Sequence, residues 1–330
     1  MALRKNPIDF TIGADPEFMS IFNNSVIRSS ECVEITDQFG RDAYDKLFEL
    51  KPFPSLDPCQ VSENLSTIMC DAVKENPEFL KWKWVCDSFY KECPMGGHLH
   101  AGISSKIIHP KDACSQYLDH YVGAITLLLE DRRKGLARRN YRRKNYRYGF
   151  ASDFRSKNHG FEYRSPSSWI TSPQVSRAIL CLFKLVCYEM INNKSFKPRI
   201  FVAPSDFETM NVIKLREEFP MIWEDIQKMM LYPQYKGELQ LIYDLIIQRR
   251  TWLSKFDMKV SWGIIEALDK VPLRMTLDDI WEDFNKLDTD KIIQNIKSSR
   301  SEVKKRLRKA PYKRTHNGNV YNGNVLTYFS

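Results

Sequence analysis

The sequence has no run of about 18 apolar residues, which argues against a membrane-spanning helix. Its opening, MALRKNPIDF, has no apolar stretch of signal-peptide length, so a cytoplasmic protein with no membrane partner is expected. No Cys-x-x-Cys pair occurs. The cysteines (Cys32, Cys59, Cys70, Cys86, Cys93, Cys114, Cys181 and Cys187) are scattered, several among apolar residues of helical stretches. There a free thiol behaves as a small hydrophobe, and a reducing compartment suits it. A zinc cluster of Cys93, His98 and His100 would lack a second cysteine at the usual spacing. Acidic residues are missing from one stretch in particular. Arg132 to Arg147 (RRKGLARRNYRRKNYR) holds nine Lys/Arg and no Asp or Glu, so it accounts for the whole net charge of +9.

What is present is a globular composition: 330 residues, 43% hydrophobic and 12% aromatic, enough for one large domain or for a core with an appendage. Residues 8–22 (IDFTIGADPEFMSIF) alternate as strand on each side of a Gly-Ala break. Leu47–Leu50 is another strand candidate, ended by the prolines of KPFPSLDP. Residues 58–75 have helical periodicity, with Leu65, Ile68, Met69 and Val73 on one side. Lys81–Phe89 and HLHAGIS read as strands, Lys111 to about Arg132 as a strong helix running straight into a basic loop, 160–165 as a strand, and 172–192 as a buried helix. Beyond about residue 205 helices dominate, at about 206–218, 221–231, 236–255, 260–269, 276–285 and 288–308. The expectation is an α+β protein, with a core over 1–204 and a mainly helical appendage over 205–330. That appendage ends in a basic tail (KKRLRKAPYKR) and a turn-forming NGNVYNGNV.

Three short stretches pair polar side chains two residues apart: Asp15 with Glu17 in GADPEFM, His98 with His100 in GGHLHAG, and Glu162 with Arg164 in FEYRSP. On a strand that spacing puts both side chains on one face. Buried charges need partners or metal. Each pair alone has an ordinary reading: Asp-Pro-Glu begins turns, an edge His-x-His is solvated, and an exposed Glu–Arg pair is worth under about 1 kcal/mol.

Taken together and in order, GADPEF, GGHLHAG and YG–DFR–HGFEYRSPSSW resemble the carboxylate–amine ligases (type-2 amidoligases) found largely in bacteriophages, which are grouped with glutamine synthetase and glutamate–cysteine ligase. The resemblance covers roughly residues 8–190. It implies a glutamine synthetase-like curved antiparallel sheet backed by helices, and ATP-dependent amide formation through an acyl phosphate. It implies Mg²⁺ held by Asp15, Glu17, Glu49, His98, His100 and Glu162, with Asp15 standing where the family's pair has glutamate. Imidazole ligands extend tolerance to Mn²⁺. FELKPFPS resembles the family's ELRP stretch and nominates Glu49, with Lys51 in the place of arginine. Pro166 matches the end of the late E-x-R-x-P element. Catalytic roles are implied for Glu17, Glu162 and Arg164, and phosphate contacts for Arg147, Arg155 and Arg164, arginine being suited to phosphoryl groups. If the gene is a phage gene, the protein acts in the host cytoplasm. Tyr148 and His159 lie close to these motifs.

The basic segment carries a rival reading. Arg and Lys interleaved with Tyr141, Tyr146 and Tyr148 is the composition of a single-stranded nucleic-acid groove, which allows a non-catalytic nucleic-acid-binding protein. On the ligase reading, Arg132–Arg147 is a lid or channel wall with Gly135 and Gly149 as flexible ends. Its charge then points to a large anionic substrate: a nucleotide, a nucleic acid or a polyanionic peptide. A phosphotransferase on the same fold is the third alternative.

Overall fold

Alternation along one long strand separates the molecule's apolar core from its polar face. In β1 (Ile12–Phe22), Ile12, Ala14 and Phe18 enter the core, while Asp15 and Glu17 point to the other face. The computed structural model describes residues 6–42, 44–143, 146–252 and 257–265, and two short strands, Thr315–His316 and Asn319–Val320, that pair as the NGN spacing predicts. The remaining main strands are β2 (Phe39–Arg41), β3 (Phe48–Leu50), β4 (Lys83–Val85), β5 (Gly97–Ala101), β6 (Phe154–Lys157) and β7 (Gly160–Tyr163). They form an antiparallel sheet in the order β6-β7-β5-β1-β3-β2, with β4 beside the second half of β1. Pro16 sits where β1 leaves β5 for its other partners, the place where a missing N–H disturbs the ladder least.

The core face repeats the same logic in each strand. Phe48 and Leu50, Leu99 and Ala101, and Phe161 and Tyr163 face inward. The residues between them, Glu49, His98, His100 and Glu162, face outward. Helices cover the inner face. Helix α1 (Pro58–Glu75) begins with Asp57 accepting a hydrogen bond from the Cys59 N–H and buries Val61, Leu65, Met69 and Val73. Then α2 runs as three consecutive pieces: Pro110–Ala113, a π-helical stretch Cys114–Gly123, and Ala124–Leu129. Next come α3 (Arg132–Asn140), α4 (Pro173–Asn192), α5 (Val212–Lys228) and α6 (Tyr232–Ile247). Helix α4 is capped by Ser172 and buried nearly all round, because α1, α2 and α6 all pack on it. The segments after residue 204 add Phe207, Leu215, Ile222, Leu239, Trp252 and Ile265 to this same apolar core. No helix among the described residues is long and apolar enough to cross a membrane.

Several expectations change. The Gly-Ala break is absent: β1 is continuous through Gly13 and Ala14, which pair with His100 and Leu99. The helix expected from Lys111 to about Arg132 ends at Leu129. The basic loop is not a loop. Its first part is α3, capped by Asp131 accepting from the Lys134 N–H, and its second part is a hairpin of Arg142–Arg143 with Tyr146–Arg147. Gly135 and Gly149 are packing positions. A Cβ on Gly135 would meet Met210 Sδ at 2.2 Å, and one on Gly149, whose φ is +68°, would meet Arg138 Nη1 at 2.3 Å. The two helices expected at 206–218 and 221–231 form a short helix, Pro204–Thr209, and the longer α5, which runs through Pro220. The helices expected at 276–285 and 288–308 and the basic tail lie outside the described residues.

One buried histidine gives the fold a pH dependence. His120, in the π-helical stretch, accepts a hydrogen bond at Nδ1 from the Val202 N–H, and burial lowers its pKa to about 4. The folded state therefore binds less proton than the unfolded state. The stability this group contributes is complete above about 6.5 and is lost as pH falls from there through 4. We expect acidification across that window to remove on the order of 2–3 kcal/mol through this group. His120→Asn keeps an acceptor for Val202 and removes the titration. Its melting midpoint should vary less with pH than the wild type's, and parallel curves would refute the assignment.

Candidate functional site

The outward face of the sheet carries an ordered rank of polar side chains. Register pairs Arg155 with Glu162, Glu162 with His100, and His100 with Gly13. One step along, Asp15 pairs with His98 and Glu17 with Glu49. Thus Asp15, Glu17, Glu49, His98, His100 and Glu162, nominated from scattered motifs, share one face.

They also touch. His98 Nδ1 lies 3.0 Å from Asp15 Oδ1 and 3.5 Å from Glu162 Oε1, and His100 Nε2 lies 3.1 Å from Asp15 Oδ2. Glu162 is wholly buried and ringed by cations: Arg164 Nε at 2.9 Å, Lys157 Nζ at 3.1 Å and Arg155 Nη1 at 3.5 Å. Glu17 Oε2 accepts a 2.5 Å hydrogen bond from the Gly96 N–H, and Glu49 pairs with Lys51 at 2.8 Å. Asp42, just beyond β2, completes a second group with Glu17 and Glu49. Sequence reasoning missed Asp42 and Lys157. Asp42 lies two residues past Gly40, which faces Glu49 in register, so the strand's alternation carries it to the same face.

The donor chemistry suits a hard divalent cation. Three groups, Asp15/Glu49/His98, Asp15/His100/Glu162 and Glu17/Asp42/Glu49, each present ligand atoms within 4.8 Å of one another. Asp15 Oδ1, His100 Nε2 and Glu162 Oε1 are closed off from solvent and have no hydrogen bond, although charged neighbours stand at ion-pair distance. Electrostatics carry the same strain. Burial, reinforced by the Asp42 and Glu49 charges, holds the Glu17 carboxyl well above its usual range. Burial and the Asp15 charge raise Glu49 to about 8, against the pull of Lys51. Burial also opposes ionisation of Asp15, but His100 and His98 outweigh it and hold that carboxyl low, while Asp15 in turn raises His100. Crowded carboxylates that resist ionising together are relieved by a bound cation.

Two cavities of about 220 and 230 Å³ flank the cluster. The first is lined by Glu17, His98 and Arg164 and by the tyrosines Tyr44, Tyr141 and Tyr148. The second is lined by Asp15, Glu49, His100, Lys157 and His159, with Ile35, Pro52 and Pro54 as its apolar side. Asp42 and Arg155 line both. A sequence model of the family described as Phage phiEco32-like COOH.NH2 ligase-type 2 matches residues 12–264, most of the chain and the whole of this face. The chain belongs to that family. The family is one of ligases joining a carboxylate to an amine. No curated protein matches the sequence.

Within this ligase the other nominated residues fall elsewhere. Arg147 is not brought to the cluster: it pairs with Glu208 at 2.9 Å and lies over the Phe150 ring. Cys93 is buried with Met19, Ile21, Val85 and Met95, so the zinc grouping with His98 and His100 has no support in the packing. The basic segment is partly internal. Arg138 and Arg139 are buried, and Lys134 pairs with buried Asp87. That leaves fewer of its cations for a polyanion than the charge count suggests.

Proposed function

We propose that this ligase uses ATP to activate a carboxylate as an acyl phosphate, which an amine then converts to an amide, on a glutamine synthetase-like core. The observation that carries the reading is the meeting of two cavities at one carboxylate cluster with arginines at its edge. Such a site can hold two substrates side by side, positioned for phosphoryl transfer from one to the other. Asp15, Glu17, Glu49, His98, His100 and Glu162, with Asp42 added, would hold Mg²⁺, or Mn²⁺ through the imidazoles. When bound, the cation neutralises phosphate charge.

The chain's own residues do the rest. Arg164 and Arg155 orient the phosphate oxygens, as planar guanidinium groups do best. Glu162 holds both arginines and Lys157 in place. The tyrosine-lined cavity suits a flat nucleoside base, and the cavity by His159 and Pro54 suits the acid and the amine. Purified protein with ATP, Mg²⁺, a mixture of carboxylic acids and hydroxylamine as the amine should release ADP and phosphate and accumulate hydroxamate. Mg²⁺ at about 100 times its Kd should add roughly 2.7 kcal/mol of stability, read as a rise in melting temperature. Absence of ATP binding alongside tight, salt-dependent binding of single-stranded DNA would replace this reading with the nucleic-acid one.

A further inference from the structure

Arg138 lies in the basic segment yet is only 1% exposed, and among the described residues no carboxylate stands at ion-pair distance from it. Its guanidinium grips backbone instead. Nη1 donates to the Ser165 carbonyl at 2.9 Å, and Nη2 donates to the Pro166 and Arg164 carbonyls at 3.0 and 3.5 Å. Its Nε is buried without a hydrogen-bond partner, and a Cβ added at Gly149 would push against Nη1. Burial opposes its charge more than the nearby Glu130, Glu17 and Asp153 carboxylates favour it, so the carbonyls it grips are its direct partners.

The turn it grips is tied to the site at both ends. Arg164 sends its side chain to Glu162. Pro166 O also accepts from the Gly97 N–H, Gly96 bridges to Ser167, and Ser168 Oγ donates to the Glu17 carbonyl at 2.5 Å. Trp169 Nε1 donates to the Gly97 carbonyl at 2.9 Å. The backbone of residues 164–169 therefore spans from Arg138 to β1. We infer that Arg138 is a positioning residue for Arg164. It fixes the Arg164–Pro166 carbonyls, and with them the direction in which Arg164 presents its guanidinium to the phosphate. The assignment rests on the ligase reading only for what Arg164 then binds.

Arg138→Lys keeps the charge, but one ammonium cannot span three carbonyls. Calorimetry with Mg²⁺ and inorganic tripolyphosphate should show a Kd raised about 10-fold, with kcat/KM for ATP falling in step. In an Arg164→Ala background the same change should add less than about 2-fold, because its effect runs through Arg164. The neighbouring Arg139→Lys should lower the melting temperature and leave the Kd unchanged. If Arg138→Lys does not fold, Gly149→Ala displaces Nη1 while keeping every group of Arg138, and the same Kd shift is expected. Equal effects of Arg138→Lys with and without Arg164, or a lower melting temperature at an unchanged Kd, overturn the positioning role alone. A wild-type protein that binds neither tripolyphosphate nor ATP overturns the ligase reading and this one with it.

Discussion

Glu162→Gln should lower the rate of ADP and phosphate release by about 10³-fold and weaken Mg²⁺ binding by about 10- to 100-fold. The substitution preserves shape and removes charge at a carboxylate that contacts His98, Lys157, Arg155 and Arg164 together. The neighbouring charges already favour its ionised form. Burial opposes ionisation, but His98, His100 and Arg164 outweigh that and hold the carboxyl below its usual range. A neutral amide leaves three cations facing one another and takes an anionic donor from the Asp15/His100/Glu162 group. Coupled ADP release and Mg²⁺ calorimetry measure the two effects separately. A variant retaining more than a tenth of wild-type turnover would remove Glu162 from the centre of the site.

The largest effect on stability is expected at Arg139. Its guanidinium meets both oxygens of Glu130, at 2.8 and 3.3 Å, and also donates to the Gly135 carbonyl. Both side chains are almost fully out of water. Arg139→Ala leaves a buried carboxylate unpaired and should cost about 3–5 kcal/mol. The exposed pair of Arg147 with Glu208 should be worth under about 1 kcal/mol. Thermal denaturation of the two variants distinguishes structural arginines from solvated ones within a single basic run. Replacing Glu130 and Arg139 together by leucine and methionine should recover most of the loss, since burying neither charge avoids the penalty of orphaning one. Equal melting temperatures for Arg139→Ala and Arg147→Ala would refute the distinction.

The strands and the cluster were legible because a period of two survives in short segments. Asp15 and Glu17, His98 and His100, and Glu49 each alternate with core residues that identify the inner face, and Glu162 lies between Phe161 and Tyr163. The basic segment was not legible for the opposite reason. Helix α3 has almost no apolar face, so periodicity cannot reveal that Arg138 and Arg139 are buried. Their partners explain the burial: the carbonyls of residues 164–166, and Glu130 in the break between two helices. Neither partner is marked in the local sequence. Asp42 escaped notice because it follows a three-residue strand, too short for alternation to be counted. The break expected at Gly13 came from treating glycine as punctuation. In the sheet Gly13 continues β1 opposite His100 and borders the second cavity.

Arg155 lines both cavities, and its side chain is more than half exposed. One side chain cannot be fully committed to anions on both sides. A ligand that recruits it in the tyrosine-lined cavity changes what the other cavity offers, and thermodynamic linkage makes the influence mutual: each ligand alters the other's affinity by the same factor. Substituting this one residue should therefore make the two binding events more nearly independent as well as weaker.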